Sequence, residues 1–179
     1  MEKKYKLTEE TINVGDKTLY RIEALKDFSD VKKGEKGGFV ENEKNLSQRG
    51  DCWVYENAKV YGNAQICGDA IVCEDAQIYG NVWVFDNAEI FGNAEVCGNA
   101  EIRGDAEIAS NSDYIVFKNW WSSGRCCTWT KSNNMWKVGI FYGTGEELIE
   151  EAYEDSEKTG EEYRKFVKYV ESIIVNGSI

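Results

Sequence analysis

The stretch GNAEVCGNAEIRGDAEIA, Gly92 to Ala109, holds three consecutive copies of one hexapeptide, G-[ND]-A-x-[IV]-x. The register runs back to Gly50 without insertion or deletion, so residues 50–109 contain ten copies. The first residue is Gly, Glu or Asp, and the second is Asn or Asp in every copy. The third is Ala except at Cys52 and Val82, and the fifth is always Val or Ile. Gly, Asn and Asp tolerate the left-handed backbone of a tight corner, so the first two positions predict a turn. Positions three and five lie two apart and share one side of a short strand, which predicts both inside. Three strands and three corners close a coil of eighteen residues. Coils stacked at ~4.8 Å through parallel ladders predict a parallel β-helix roughly 16 Å tall.

The fourth and sixth positions then point outward, and residues eighteen apart share a face. Face one carries Trp53, Tyr55, Ile71, Cys73, Glu89, Phe91, Glu107 and Ala109. It is apolar at six of eight positions, against three of six on each other face. Such a stripe is normally covered, so either a neighbouring subunit or the chain's own C-terminal region is expected over it. A symmetric homotrimer through Trp53, Tyr55, Ile71, Cys73 and Phe91 is the favoured form.

Outward from the repeat, residues 1–43 read as a cap. KTLYRIEAL follows a Gly15-Asp16 turn, and VKKGEKGGFVE ends in a glycine-rich bend. A bare β-helix end offers unpaired edges, so a cap is required. KNLSQR (Lys44–Arg49) and SNSDYI (Ser110–Ile115) read as worn copies, which sets the repeat domain at 44–115. In 116–179, a short antiparallel meander is predicted from the aromatic runs and the SSGR and NN turns. Two helices follow, each opened by T-G-E-E, at Thr144 to Glu147 and at Thr159 to Glu162, the spacing of a capping box.

Composition narrows the class. The chain has 179 residues, 42% of them hydrophobic, a net charge of -11, six cysteines and no histidine. No apolar run approaches the ~18 residues of a membrane span, and MEKKYKLTEE is no signal peptide. A cytoplasmic protein with reduced thiols is expected. The acidic balance argues against direct nucleic-acid binding. Cys67, Cys73 and Cys97 fall on three different faces, so neither a disulfide nor a metal site is expected among them.

The run from Leu19 through Ala64 resembles the opening of a family of bacterial and phage hexapeptide-repeat proteins often labelled acyltransferases. Ile22, Ala24, Leu25, Asp27, Phe28, Gly34, Gly37, Gly38, Phe39, Glu41, Asn45, Leu46 and Ser47 carry the resemblance. It implies a left-handed helix and a trimer. The C-terminal region resembles domains appended to hexapeptide repeats in phage and Firmicutes proteins.

In hexapeptide acyltransferases a histidine commonly serves as the base, since its pKa suits proton transfer, and related carbonic anhydrases hold zinc through histidines. Neither mechanism transfers to a chain without histidine. The expectation is therefore a non-catalytic binding protein without cofactor, and the phage resemblance adds counter-defence by sequestering a small nucleotide signal. Its candidate pocket is Trp120, Trp121, Arg125, Trp129, Lys131 and Trp136, where rings beside cations suit a base and a phosphate. The same aromatics suit a small domain's core, and both readings stand. One alternative is an acidic inhibitor of a basic nucleic-acid-binding enzyme. It rests on Gly145 to Glu162, which holds nine carboxylates and one lysine. The other is an acyltransferase with a carboxylate base.

Overall fold

The computed structural model describes residues 2–177. The chain folds as two compact units, residues 1–111 and 112–179. The first unit is a parallel stacked β-solenoid of about 4 turns. Each hexapeptide contributes one two-residue strand: β4 (Trp53–Val54), β5 (Lys59–Val60), β6 (Gln65–Ile66), β7 (Ile71–Val72), β8 (Gln77–Ile78), β9 (Trp83–Val84), β10 (Glu89–Ile90), β11 (Glu95–Val96), β12 (Glu101–Ile102) and β13 (Glu107–Ile108). Register is strict. Trp53 lies beside Ile71, Ile71 beside Glu89, and Glu89 beside Glu107, each pair eighteen residues apart. Three sheets result: β4-β7-β10-β13, β6-β9-β12, and a third holding β5-β8-β11. The third-position alanines and fifth-position Val and Ile are buried throughout. Period-two alternation thus fills the interior with one small and one branched residue per strand.

The corners refine the expected turn chemistry. All ten first positions adopt positive φ, including the non-glycines Glu56, Glu74 and Asp86. The second-position Asn and Asp do not. Their side chains stack instead, Asn63 donating to Asn81 at 3.0 Å and Asn81 to Asn99 at 3.0 Å.

The N-terminal end continues the solenoid rather than merely covering it. β3 (Lys36–Val40) pairs parallel with β5, Phe39 beside Lys59, and Leu46 bridges Ile66. The repeat therefore begins before Lys44, with a first turn enlarged by the short 3-10 helix Glu43–Asn45. β1 (Tyr5–Val14) and β2 (Lys17–Ala24) form a hairpin that extends the same sheet in the order β1-β2-β3-β5-β8-β11. Gly37 and Gly38 lie within β3, not in a bend. A Cβ at Gly37 would stand 2.4 Å from the Val54 carbonyl oxygen, so glycine there permits close approach.

The hairpin also plugs the open end. Lys4, 1% exposed, donates from Nζ to the carbonyls of Gly50 at 3.1 Å and Cys52 at 2.8 Å. The Tyr5 hydroxyl bonds the carbonyls of Glu43 and Leu46 at 3.0 and 2.8 Å. Side chains thereby satisfy carbonyls that lack a further coil.

The expectation that a subunit or the C-terminal region covers face one fails at its first position. Trp53 is 0% exposed, because Tyr5 and Phe28 meet its ring edge-on at 6.1 and 5.3 Å. The N-terminal cap covers it, so Trp53 is no interface residue. Tyr55 is half-buried and donates to Asp30 at 2.6 Å. Ile71, Cys73 and Phe91 are half-buried and make up the remaining stripe.

The second unit is a four-stranded antiparallel meander with two helices. Its strands are β14 (Tyr114–Lys118), β15 (Cys126–Thr130), β16 (Met135–Val138) and β17 (Phe141–Gly143), in that order across the sheet. Tyr114 and Ile115 pair with Thr130 and Trp129, so Ser110–Ile115 is no full hexapeptide copy. Helix α1 (Gly145–Asp155) opens with the expected capping box of Thr144 and Glu147. Helix α2 (Glu157–Val175) does not start at Thr159. Its N-cap is Ser156, whose hydroxyl accepts the Thr159 N–H at 3.1 Å. Ser156 both ends α1 and caps α2, which places Thr159 in the first turn.

Candidate functional site

The six residues proposed from the aromatic meander do not converge. Trp129 is 0% and Trp136 2% exposed, both in a core with Cys127, Leu148, Tyr163, Val167 and Val170. Both alternate onto the face of the meander that packs against α1 and α2, and burial there outcompetes ligand contact. Trp129 Nε1 is satisfied by Asn134 Oδ1 at 2.9 Å. Lys131 sits in the β15–β16 turn, its Nζ 4.0 Å from Asp113. Arg125 precedes the other end of β15, six extended residues away, or roughly 20 Å. Trp120 is 70% exposed. Trp121 packs edge-on against Tyr163 at 5.1 Å and lies 5.4 Å from Phe166.

Arg125 does line a cavity of about 400 Å³ between the meander and the helices. Val138, Phe141, Leu148 and Ala152 give it apolar walls. Asn119, 3% exposed, organises its mouth. The Asn119 N–H donates to the Arg125 carbonyl at 2.8 Å, closing the intervening loop. Its Oδ1 accepts the Ser122 N–H at 3.0 Å, and its Nδ2 donates to the Tyr163 hydroxyl at 3.0 Å. Trp120 and Arg125 consequently flank the base of one loop.

Tyr163 comes from α2 and is 5% exposed. Its hydroxyl accepts from Asn119, and its own proton has no acceptor among the described residues. Burial pushes its pKa up, Asp155 adds to the rise, and Asn119 and Arg125 oppose it. The hydroxyl is thus a donor at neutral pH. Glu151 and Asp155, from α1, complete the lining, and neither forms an ion pair among the described residues. The sequence reading placed Glu151 and Asp155 only in an acidic run. It had no signal for Asn119, because a buried asparagine's role depends on contacts distant in sequence.

Elsewhere the cysteines form no disulfide among the described residues, and Cys67, Cys73 and Cys97 follow β6, β7 and β11, in three different sheets. No helix of the described residues is long and apolar enough to cross a membrane.

Comparison with known proteins yields a short similarity. Over 38 residues the chain is 45% identical to the uncharacterized acetyltransferase YdcK of Escherichia coli (strain K12). The match spans 21% of this chain and 12% of that protein. No protein-family model matches. The short match and the β-solenoid together fit a hexapeptide-repeat protein.

Proposed function

We propose that this chain is a non-catalytic binding protein, in which the β-solenoid is a scaffold and the C-terminal unit holds a small ligand. The observation that carries this reading is the cavity beneath Arg125, with its apolar walls and the free Tyr163 hydroxyl proton. Cavities of about 300–1,000 Å³ with few placed polar groups are the usual form of a small-molecule site. The counter-defence role, sequestration of a signal molecule, draws its support from the resemblance to phage proteins. A nucleotide signal is supported by Trp120 and Arg125 at one loop base, and Glu151 and Asp155 count against its phosphates. A cytoplasmic setting suits cysteines that form no disulfide among the described residues. Acyl transfer is less favoured, since no histidine is present to act as base.

Calorimetric titration with nucleotides, amino acids and neutral apolar probes tests the reading. Binding that is weakened by Tyr163→Phe supports it, and silence across all three classes overturns it. A homotrimer through Ile71, Cys73 and Phe91 belongs to the same proposal. A solution mass near 20.4 kDa would exclude it.

A further inference from the structure

Resting on the cavity reading above, we propose that its ligand is a zwitterion with an apolar side chain, of the class of free apolar α-amino acids. Arg125 is the one cation among the described lining residues, and Glu151 and Asp155 are the carboxylates. None of the three has an ion-pair partner among the described residues, so they are not paired with one another across the opening. The Arg125 guanidinium rests over Gly139, where a Cβ would stand 2.8 Å from Nη1.

The two donors, Arg125 and the Tyr163 hydroxyl, call for an acceptor, and a carboxylate suits both. Both carboxylates belong to α1, and they call for a cationic amine. Val138, Phe141 and Leu148 of the lining provide a surface for an apolar side chain. A zwitterion meets all three demands, with an opposite charge for each of its ends among the exposed groups of the lining, Arg125, Glu151 and Asp155. A nucleotide meets the donors and the apolar wall but brings more negative charge to two carboxylates. A cationic polyamine satisfies Glu151 and Asp155 and leaves Arg125 without a partner.

The experiment is calorimetry on the full chain with L-leucine and L-phenylalanine, N-acetyl-L-phenylalanine, L-phenylalaninamide and adenosine monophosphate. Binding of a free amino acid is expected, with loss of about tenfold or more when the amine is acetylated or the carboxylate amidated. Arg125→Gln is expected to weaken the free amino acid and leave the amide's affinity unchanged. Glu151→Gln combined with Asp155→Asn should weaken the amide and spare the acetylated ligand. Thermal melting of each variant confirms folding. Amino-acid binding insensitive to acetylation and to Arg125→Gln overturns the zwitterion. Binding of adenosine monophosphate alone, lost on Tyr163→Phe, overturns the ligand class and leaves the cavity reading standing. Silence of every ligand and of a neutral apolar probe overturns both.

Discussion

Glu74 accepts the backbone N–H of Gly92, eighteen residues on, at 2.7 Å. Glu56 does the same for Glu74 at 2.9 Å. Both sit at positive φ, where an ordinary side chain costs about 1–2 kcal/mol. The first-position N–H takes no part in the sheet ladder, and the carboxylate supplies its partner. The strain and the bond therefore come from one residue. Glu74→Gly removes both and should be near neutral. Glu74→Ala keeps the strain, loses the bond, and should cost about 1 kcal/mol. Urea titration of the two variants decides, and equal losses would sink the account.

Gly68 and Gly98 occupy the same repeat position with different surroundings. Gly98 has φ +76 and nothing within 4 Å of an added Cβ. Gly68 has φ +69, and its Cβ would meet Asp86 N at 2.8 Å. Gly98→Ala should lose about 1 kcal/mol from backbone strain alone. Gly68→Ala should lose roughly 2 kcal/mol more, because the coil above cannot move independently. The comparison reads stacking separately from turn conformation.

Lys4 is the plug of the solenoid's N-terminal end. Replacing it with Met keeps much of the stem and removes the donor from two carbonyls. Lys4→Met should therefore destabilise the chain by about 3 kcal/mol, the cost of leaving buried acceptors unpaired. Hydrogen exchange should loosen first in β1 and β2. A variant as stable as the parent would show that the end is closed by apolar packing alone.

Cys127 is 0% exposed, and burial raises its thiol pKa above the ordinary 9.0. Below 9.0 the thiol is protonated in both states and exerts no pH dependence. As pH rises past 9.0 the unfolded thiol ionises and the folded one does not, so stability falls. Cys127→Ala should lower stability at pH 7 through a small cavity and flatten the loss between pH 9 and 10.5. Urea titrations across that window provide the measurement. Parallel curves for parent and variant would refute the assignment.

Trp129 and Trp136 show why the candidate site was only partly legible. Their aromatic character suited core and pocket equally, and only the placement of α1 and α2 over one face of the meander decided for core. Arg125, one of the six residues singled out from the sequence, lines the cavity. Its neighbours Asn119, Asp155 and Tyr163 come from three separated segments, and no local pattern links them. Trp53 shows the same limit on the solenoid. Periodicity placed it outward, and the cap's Phe28, twenty-five residues earlier, buried it.

By itself the sequence determined the β-solenoid, its strand register and its interior. A six-residue period ties each residue's direction to local backbone geometry, and stacking repeats that geometry every eighteen residues. It also determined the meander and the start of α1, whose signals are local. The tertiary structure alone decided where α2 begins, what closes the N-terminal end and which aromatics are buried. It alone brought Arg125, Asp155 and Tyr163 around one cavity. Those features depend on contacts between segments far apart in the chain, and such contacts leave no periodic or local trace.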